Sequence, residues 1–93
     1  MTSRDERYSH VKPLVEYGTI QTFNDIFKVV PKTIVAKDIG KRTPEFTDLM
    51  NKVQKFTLEQ LFMIGTFCRL DVDTILRLAL NEYKKNLPEQ NNK

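Results

Sequence analysis

The sequence TIVAKDIGKRTPEFTDLMN, at residues 33–51, carries the strongest structural signal in this chain. Its first part has the spacing of a short apolar helix, and Gly40 follows as a residue suited to end that helix. A second helix begins almost at once, because Thr43, Pro44 and Glu45 together form a helix-start signal. Two helices joined by so short a turn cannot lie side by side as a long hairpin. They are expected to cross steeply, as in a helix-turn-helix.

Further helix patterns lie on both sides of this stretch. The first starts at Thr22, which with Asp25 has the spacing of a capping box, and it stops at Pro31, which disfavours helix continuation. The second covers residues 32–39, and the third begins after the turn. Apolar residues at i, i+3, i+4 and i+7 predict the buried stripes of the first and third helices. These stripes consist of Phe23, Ile26, Phe27 and Val30, and of Phe46, Leu49, Met50 and Val53.

Two more helices are predicted in the second half of the chain. Thr57 and Gln60 form a capping box at the start of the fourth helix, and Asp71 or Asp73 caps the fifth. The predicted buried faces are Leu58, Leu61, Phe62, Ile64, Gly65 and Cys68, and then Val72, Ile75, Leu76, Ala79, Leu80 and Tyr83. No segment alternates apolar and polar residues as a strand would, so the fold class is predicted to be all-α.

Length and composition are those of one ordinary globular domain. The chain has 93 residues, of which 40% are hydrophobic and 29% charged. We predict a partly disordered segment at 1–21, a helical domain at 22–86 and a disordered tail at 87–93. No run of about 18 apolar residues would span a membrane, and no apolar segment behind the first charges suggests a secretory signal. The single cysteine is typical of a reducing, cytoplasmic compartment.

The spacing of these helices resembles the helix-turn-helix domains of the phage-repressor type, such as lambda repressor and Cro. The residues that match the family's second helix, turn and third helix are Val35, Ala36, Ile39, Gly40, Phe46 and Leu49. Those that match its fourth helix and the following turn are Leu61, Ile64, Gly65, Cys68 and Leu70. The likeness covers about residues 23–80, with Lys41 standing where an apolar residue is usual. It implies a compact five-helix bundle that binds double-stranded DNA and regulates transcription.

The resemblance implies that the third helix enters a major groove while the second helix and the turn contact phosphates. The DNA-binding residues predicted in this way are Lys32, Thr33, Lys37, Lys41, Arg42, Thr43, Glu45, Thr47, Asp48, Asn51 and Lys52. The distribution of charge also favours DNA binding. Residues 22–56 hold seven basic and four acidic side chains, and this excess of three equals the net charge of +3 of the whole chain.

Other interpretations stay open at this point. Glu45 and Asp48 would be repelled by phosphates unless they accept hydrogen bonds from cytosine amino groups. They favour a protein-protein interaction module that keeps the helix-turn-helix fold without DNA binding, or simply a solvated helix face. Leu78, Tyr83 and Leu87 are predicted to extend beyond the core of the fifth helix. They are either frayed hydrophobic residues or the contact of a homodimer.

No catalytic constellation is visible in the sequence. It has no glycine-rich phosphate loop, no Ser-His-Asp set and no paired Cys or His cluster. Cys68 is expected to be a small buried hydrophobic residue rather than a nucleophile, and His10 lies in a polar segment without partners for a site. Asp71 and Asp73 are better explained as caps than as metal ligands. We therefore expect no enzymatic activity, no cofactor and no metal, and a cytoplasmic location, on the nucleoid if the protein binds DNA.

Overall fold

The computed structural model describes residues 5–87, and the regular structure within that range is entirely helical. This confirms the predicted all-α class. The α-helices are α1 (Val11–Tyr17), α2 (Lys32–Asp38), α3 (Thr43–Asn51), α4 (Leu58–Phe67) and α5 (Val72–Lys85). Three short 3-10 helices accompany them in the described part of the chain, at Glu6–His10, Phe23–Lys28 and Val53–Lys55.

The predicted first helix is a 3-10 helix, Phe23–Lys28, rather than an α-helix. The Asp25 carboxylate accepts the backbone N–H groups of Gln21 at 3.0 Å and Thr22 at 3.1 Å, so one half of the predicted capping box is formed. The other half is missing, because the Thr22 hydroxyl has no hydrogen-bond partner within residues 5–87. The element has six residues, more than most 3-10 helices, and Pro31 follows three residues after its end.

The turn between α2 and α3 has the predicted form. Gly40 has φ +77°, in the left-handed region where only glycine is free of strain, and the Lys41 N–H donates to the Ala36 carbonyl at 2.8 Å. The start of α3 differs by one residue, since Arg42 rather than Thr43 is the cap residue. The Glu45 carboxylate accepts the Arg42 backbone N–H at 3.1 Å and so satisfies one of the donors at this helix end.

Four phenylalanines form a closed ring at the centre of the core. Phe23 contacts Phe27 and Phe56, and Phe46 contacts the same two rings from α3, with centroids 5.1–5.6 Å apart. All four contacts are close to edge-on, the arrangement that aromatic quadrupoles favour. Because Phe46 is fully buried, this ring fixes which side of α3 faces inward.

Residues 5–21, which the sequence analysis set apart as an N-terminal segment, share this core. Tyr8, Val11 and Ile20 are buried. The Tyr8 hydroxyl donates to the Asp38 carboxylate at the end of α2 at 2.8 Å, and its ring lies 5.4 Å from that of Phe67. The predicted disordered tail lies outside the described residues except for Leu87, as do residues 1–4.

The starts of α4 and α5 follow their sequence signals. The Thr57 N–H donates to Gln60 Oε1 at 3.0 Å, and the Gln60 N–H donates to Thr57 Oγ1 at 3.1 Å, which completes the predicted capping box. Asp71, and not Asp73, caps α5, because Asp71 accepts the Thr74 N–H at 2.8 Å. The two helices pack closely at Gly65, where a Cβ atom would lie 3.1 Å from Ile75 Cβ.

The predicted inner face of α5 is partly wrong. Ile75 and Ala79 are buried as expected, but Leu78 and Glu82, which were placed off the stripe or left out of it, are buried as well. Four residues of the predicted stripe are exposed instead, namely Val72, Leu76, Leu80 and Tyr83. Leu58 at the start of α4 is also exposed, at 61%. The apolar residues of α5 occupy a wider sector of the helix than the sector that is buried. Periodicity alone therefore does not predict which part of that sector faces the core.

Candidate nucleic-acid interface

The inner sides of α2 and α3 are set by a few fully buried residues. Val35 and Ala36 anchor α2, Phe46 anchors α3, and the two helices contact each other directly. The end of α3 is held by a polar contact as well, since the Asn24 side chain donates from Nδ2 to the Met50 carbonyl at 2.9 Å. The opposite sides of both helices therefore face outward.

None of the eleven predicted DNA-binding residues is buried. Seven are exposed, namely Thr33, Lys37, Arg42, Glu45, Asp48, Asn51 and Lys52. Four are partly buried, namely Lys32, Lys41, Thr43 and Thr47. All of them lie on α2, on α3 or in the segments that directly flank these two packed helices. The structure thus places the predicted residues together on one helix pair that is accessible from outside.

Three of the four acidic residues within the stretch 22–56 form hydrogen bonds or ion pairs with other residues of the protein. Asp25 lies 3.4 Å from Lys28 Nζ, Asp38 accepts the Tyr8 hydroxyl at 2.8 Å, and Glu45 accepts the Arg42 N–H. Glu45 therefore stabilises the start of α3, which accounts for a carboxylate at a position where phosphates would repel it. Asp48 is exposed on the outward side of the helix.

The carboxylate of Asp25 is stabilised in its charged form. Burial by itself raises the pKa of Asp25, but hydrogen bonds from the Gln21 and Thr22 N–H groups and the nearby Lys28 ammonium outweigh this, so the pKa lies below its ordinary value. The charge of Asp25 is thus compensated locally, close to the start of the 3-10 helix.

Five of the seven basic side chains within residues 22–56 make no ion pair with the described residues and remain available to an external anion. Ion pairs between residues 5–87 involve Arg7 with Asp5, Lys28 with Asp25, and Arg42 with Glu45. The last pair is 4.0 Å long between well-exposed side chains, so it contributes little. In the same part of the chain, no acidic side chain lies within 4.0 Å of the amino groups of Lys32, Lys37, Lys41, Lys52 and Lys55.

A buried polar connection behind the interface was not predicted. The Glu82 carboxylate accepts the Asn24 backbone N–H at 3.0 Å and the Asn86 side-chain amide at 3.1 Å. Because Asn24 also donates to Met50, a single residue links α5 to the end of α3. The only sequence signal was the position of Glu82 three residues after Ala79, in register with the buried face of α5.

The other candidate residues are explained by the fold. Cys68 is fully buried, and burial raises the pKa of its thiol to about 12, so the reactive thiolate is suppressed. Asp71 caps α5, and His10 is exposed at the end of the first 3-10 helix. Residues 5–87 hold no cluster of three or more acidic, cysteine or histidine side chains arranged to bind a metal ion.

Comparisons of the chain with protein-family models, with curated proteins and with solved structures find no match. Over residues 5–87, the helices lack the combination of length and apolar character needed to cross a membrane.

Proposed function

We propose that this protein is a repressor-like helix-turn-helix domain that binds double-stranded DNA and regulates transcription. In this proposal α3 enters the major groove, and α2 and the turn contact the phosphates on either side. One observation carries the proposal. The helix pair is anchored from within by Val35, Ala36 and Phe46, while its accessible side holds lysines without ion pairs in the described structure.

We assign a contact to each residue of the interface from the chemistry of its side chain and its position. Cationic side chains on α2, in the turn and at the end of α3 contact phosphates, and these are Lys32, Lys37, Lys41, Arg42 and Lys52. Asn51, exposed on the last turn of α3, has the donor and acceptor needed to pair with adenine. Thr33, Thr43 and Thr47 contact phosphate or a thymine methyl group. Glu45 caps α3, and Asp48 accepts from a cytosine amino group.

The proposal makes the protein a non-enzymatic, cytoplasmic component of the nucleoid that acts as a homodimer. One small module makes few base contacts, so two copies reading paired half-sites give the affinity that a regulator needs. Of the three residues predicted for the dimer contact, Leu78 is buried and therefore does not take part in it. Tyr83 and Leu87 are exposed and remain in the proposed contact.

Fluorescence anisotropy with a labelled random duplex, at several salt concentrations, tests the DNA proposal. We expect binding that weakens steeply as salt rises, because phosphate contacts release counterions. A Lys41→Ala, Arg42→Ala double variant should bind more weakly at low salt and reduce the slope of log K against log salt by about 2, roughly one for each lost phosphate contact. A selection from random duplexes would then identify the operator.

The matched control removes the same charge elsewhere. Lys12 in α1 and Lys85 in α5 are exposed, and a Lys12→Ala, Lys85→Ala double variant should keep both the affinity and the salt slope. An equal loss in both double variants would mean that only net charge matters and that α2, α3 and the turn are not the contact. Absence of binding at the lowest salt would overturn the proposed function.

The second candidate is a protein-protein interaction module with the same helix pair, and the exposed carboxylate of Asp48 favours it. Asp48→Lys separates the two functions. If α3 lies in a phosphate-lined groove, exchanging this charge strengthens binding to random duplex DNA, since repulsion is replaced by attraction. If α3 contacts a protein instead, the substitution leaves DNA affinity unchanged.

A further inference from the structure

A cleft of about 530 Å³ lies between α1 and the start of α5, and three basic side chains line it. They are Lys12 on α1, Arg69 in the turn that follows α4, and Arg77 on α5. Among residues 5–87, no acidic oxygen lies within 4.0 Å of their side-chain nitrogens. The cleft therefore gathers three unpaired cations from separate parts of the chain, and its volume falls in the range of small-molecule sites.

Two of these cations act on the same point of the cleft. Asp71, which also lines it, accepts the Thr74 N–H at 2.8 Å as the cap of α5. Hydrogen bonds from Thr74 lower the pKa of Asp71, and the nearby charges of Arg77 and Lys12 lower it further. Both cations are thus close to one carboxylate without forming an ion pair with it. They are placed to share a single anionic group of a ligand.

Arg69 occupies a backbone position that elsewhere in the described structure belongs to glycine. Its φ of +62° is left-handed, as are those of Gly18 after α1 and Gly40 after α2. The three turns share one hydrogen-bond pattern, because the next residue in each donates to the carbonyl five residues before it, at 2.8–2.9 Å. The fold alone would favour glycine in all three turns, since a side chain strains this backbone.

The strained backbone of Arg69 indicates that its side chain has a use beyond the turn. That side chain stands between this cleft and a second one beside Glu6. Lys12 and Arg77 make the first cleft the better site for an anion, because they add two further cations to it.

We propose that this cleft binds a small phosphate monoester of a sugar, either a free sugar phosphate or a nucleoside monophosphate. The phosphate lies among Lys12, Arg69 and Arg77, whose ammonium and guanidinium groups donate to its oxygens. None of the residues that line the cleft belongs to α2, α3 or the turn between them. The site is therefore separate from the proposed DNA interface and does not depend on DNA binding.

The carboxylates of the cleft select a ligand with hydroxyl groups over inorganic phosphate. Glu16 is exposed one turn along α1 from Lys12, so it lies on the same side of that helix. A bare anion would be repelled by Glu16 and Asp71, whereas a sugar hydroxyl donates a hydrogen bond to a carboxylate. Three cations against two carboxylates leave one positive charge in excess, which suits one phosphate group better than a polyphosphate chain. The partly buried Val15 and Leu70 supply an apolar surface for a sugar ring or a base.

Isothermal titration calorimetry of the full chain with ribose-5-phosphate and with AMP, in low-salt buffer free of phosphate, tests the proposal. We expect saturable binding at one site. Arg77→Ala should raise the dissociation constant roughly tenfold or more, because it removes a charged donor to the phosphate. Lys85→Ala is the matched control, since it removes one exposed positive charge at the other end of α5, and it should leave the constant unchanged. Tighter binding of AMP assigns the ligand as a nucleotide, and equal or tighter binding of ribose-5-phosphate assigns it as a sugar phosphate.

Glu16→Ala separates recognition of the sugar from simple attraction of anions. The preference for ribose-5-phosphate over inorganic phosphate should fall about threefold or more, because the acceptor for a hydroxyl group is lost. Glu59→Ala removes an exposed carboxylate from α4 and should leave this preference unchanged. If inorganic phosphate binds the original protein as tightly as ribose-5-phosphate does, the cleft only attracts anions and the inference is overturned.

Arg69→Gly should change stability and binding in opposite directions. Glycine relieves the left-handed backbone, so the unliganded variant should unfold at a higher temperature and yet bind ribose-5-phosphate roughly tenfold more weakly. Unchanged binding would show that the Arg69 side chain does not contact the ligand. Absence of binding at millimolar ligand, or equal effects of Arg77→Ala and Lys85→Ala, would overturn the inference as a whole. Because these titrations contain no DNA, their outcome is separate from that of the salt titration.

Discussion

The outer faces of α3 and α5 differ in chemistry although both helices are held by the same core. Apart from Pro44, the exposed residues of α3 are polar or charged, namely Glu45, Asp48 and Asn51, and the exposed Lys52 follows directly. The accessible row on α5 is apolar and consists of Val72, Leu76, Leu80 and Tyr83, with exposed charges beside it at Asp73, Arg77, Lys84 and Lys85. The first surface suits a hydrated, charged ligand, and the second suits an apolar one.

This difference shows how one small core supports two kinds of surface. The inner sides are fixed by the phenylalanine ring at α3 and by Leu78 and Glu82 at α5, with Asn24 bonded to both helices. Once these inner contacts hold a helix, its outer residues make few contacts with the fold and are free to serve binding.

Phe46→Ala should have the largest effect, because it removes the ring that anchors α3. Phe46 is fully buried and contacts both Phe27 and Phe56, so we expect a loss of about 3–5 kcal/mol in the free energy of unfolding. Urea denaturation followed by circular dichroism measures it. Phe62→Ala on the partly exposed side of α4 is the control and should cost clearly less. Equal losses would show that the phenylalanine ring has no special part in holding α3.

Glu82→Ala should weaken the anchoring of α5. It leaves the Asn24 N–H and the Asn86 amide without their acceptor, at a cost of about 1–3 kcal/mol in unfolding free energy. Glu82→Gln keeps one acceptor oxygen and should recover part of the loss. Glu59→Ala, at an exposed position of α4, should stay within about 0.5 kcal/mol of the original protein. A loss for Glu59→Ala as large as that for Glu82→Ala would contradict the buried role.

Gly40 and Arg69 provide a pair of opposite substitutions at the helix ends that precede α3 and α5. Both have left-handed backbone, with φ +77° and φ +62°. Gly40→Ala should cost about 1 kcal/mol, and Arg69→Gly should stabilise by up to about 1 kcal/mol, because only glycine adopts this region without a steric penalty. Thermal and urea denaturation measure both changes. Two substitutions with the same sign would show that backbone strain does not govern these turns.

Acid should destabilise the fold through two carboxylates, Asp25 in the 3-10 helix Phe23–Lys28 and Asp71 at the start of α5. Burial raises the pKa of Asp25, but its hydrogen bonds lower the pKa further, and hydrogen bonds from Thr74 lower the pKa of Asp71. Each group therefore stabilises the fold above its ordinary pKa of 3.8, and this is lost as pH falls through the lower folded-state pKa. Unfolding free energies between neutral pH and strongly acidic pH should show this decline.

Asparagine substitutions separate titration from capping in that experiment. Asp71→Asn keeps a side-chain oxygen that accepts the Thr74 N–H, but it removes the charge, so the decline in acid should become shallower. Asp25→Asn should act in the same way at the start of its 3-10 helix. An unchanged pH dependence in both variants would assign the acid sensitivity to other groups.

Local signals were predicted well from sequence. The glycine end of α2, the capping box of Thr57 and Gln60 and the Asp71 cap depend on residues at most a few positions apart, so short patterns contain what they need. The 3-10 form of Phe23–Lys28 was missed because capping spacing does not distinguish the two helix types. None of the predicted binding residues of α2 and α3 is buried. The buried position of Phe46 in its stripe correctly indicated which side of α3 faces the core.

The sequence pattern did not predict which side of α5 faces the core. Apolar residues occupy two adjoining sides of this helix, and only packing against Phe23–Lys28 and α4 turns Leu78 and Glu82 inward while Leu76 and Leu80 stay outside. Thus the sequence by itself determined the end of α2 and the start of α4, and it narrowed the cap of α5 to two residues, since caps and turns are short-range interactions. The tertiary structure decided which faces are buried and which are left for partners, because that choice depends on contacts between residues as far apart as Asn24 and Glu82.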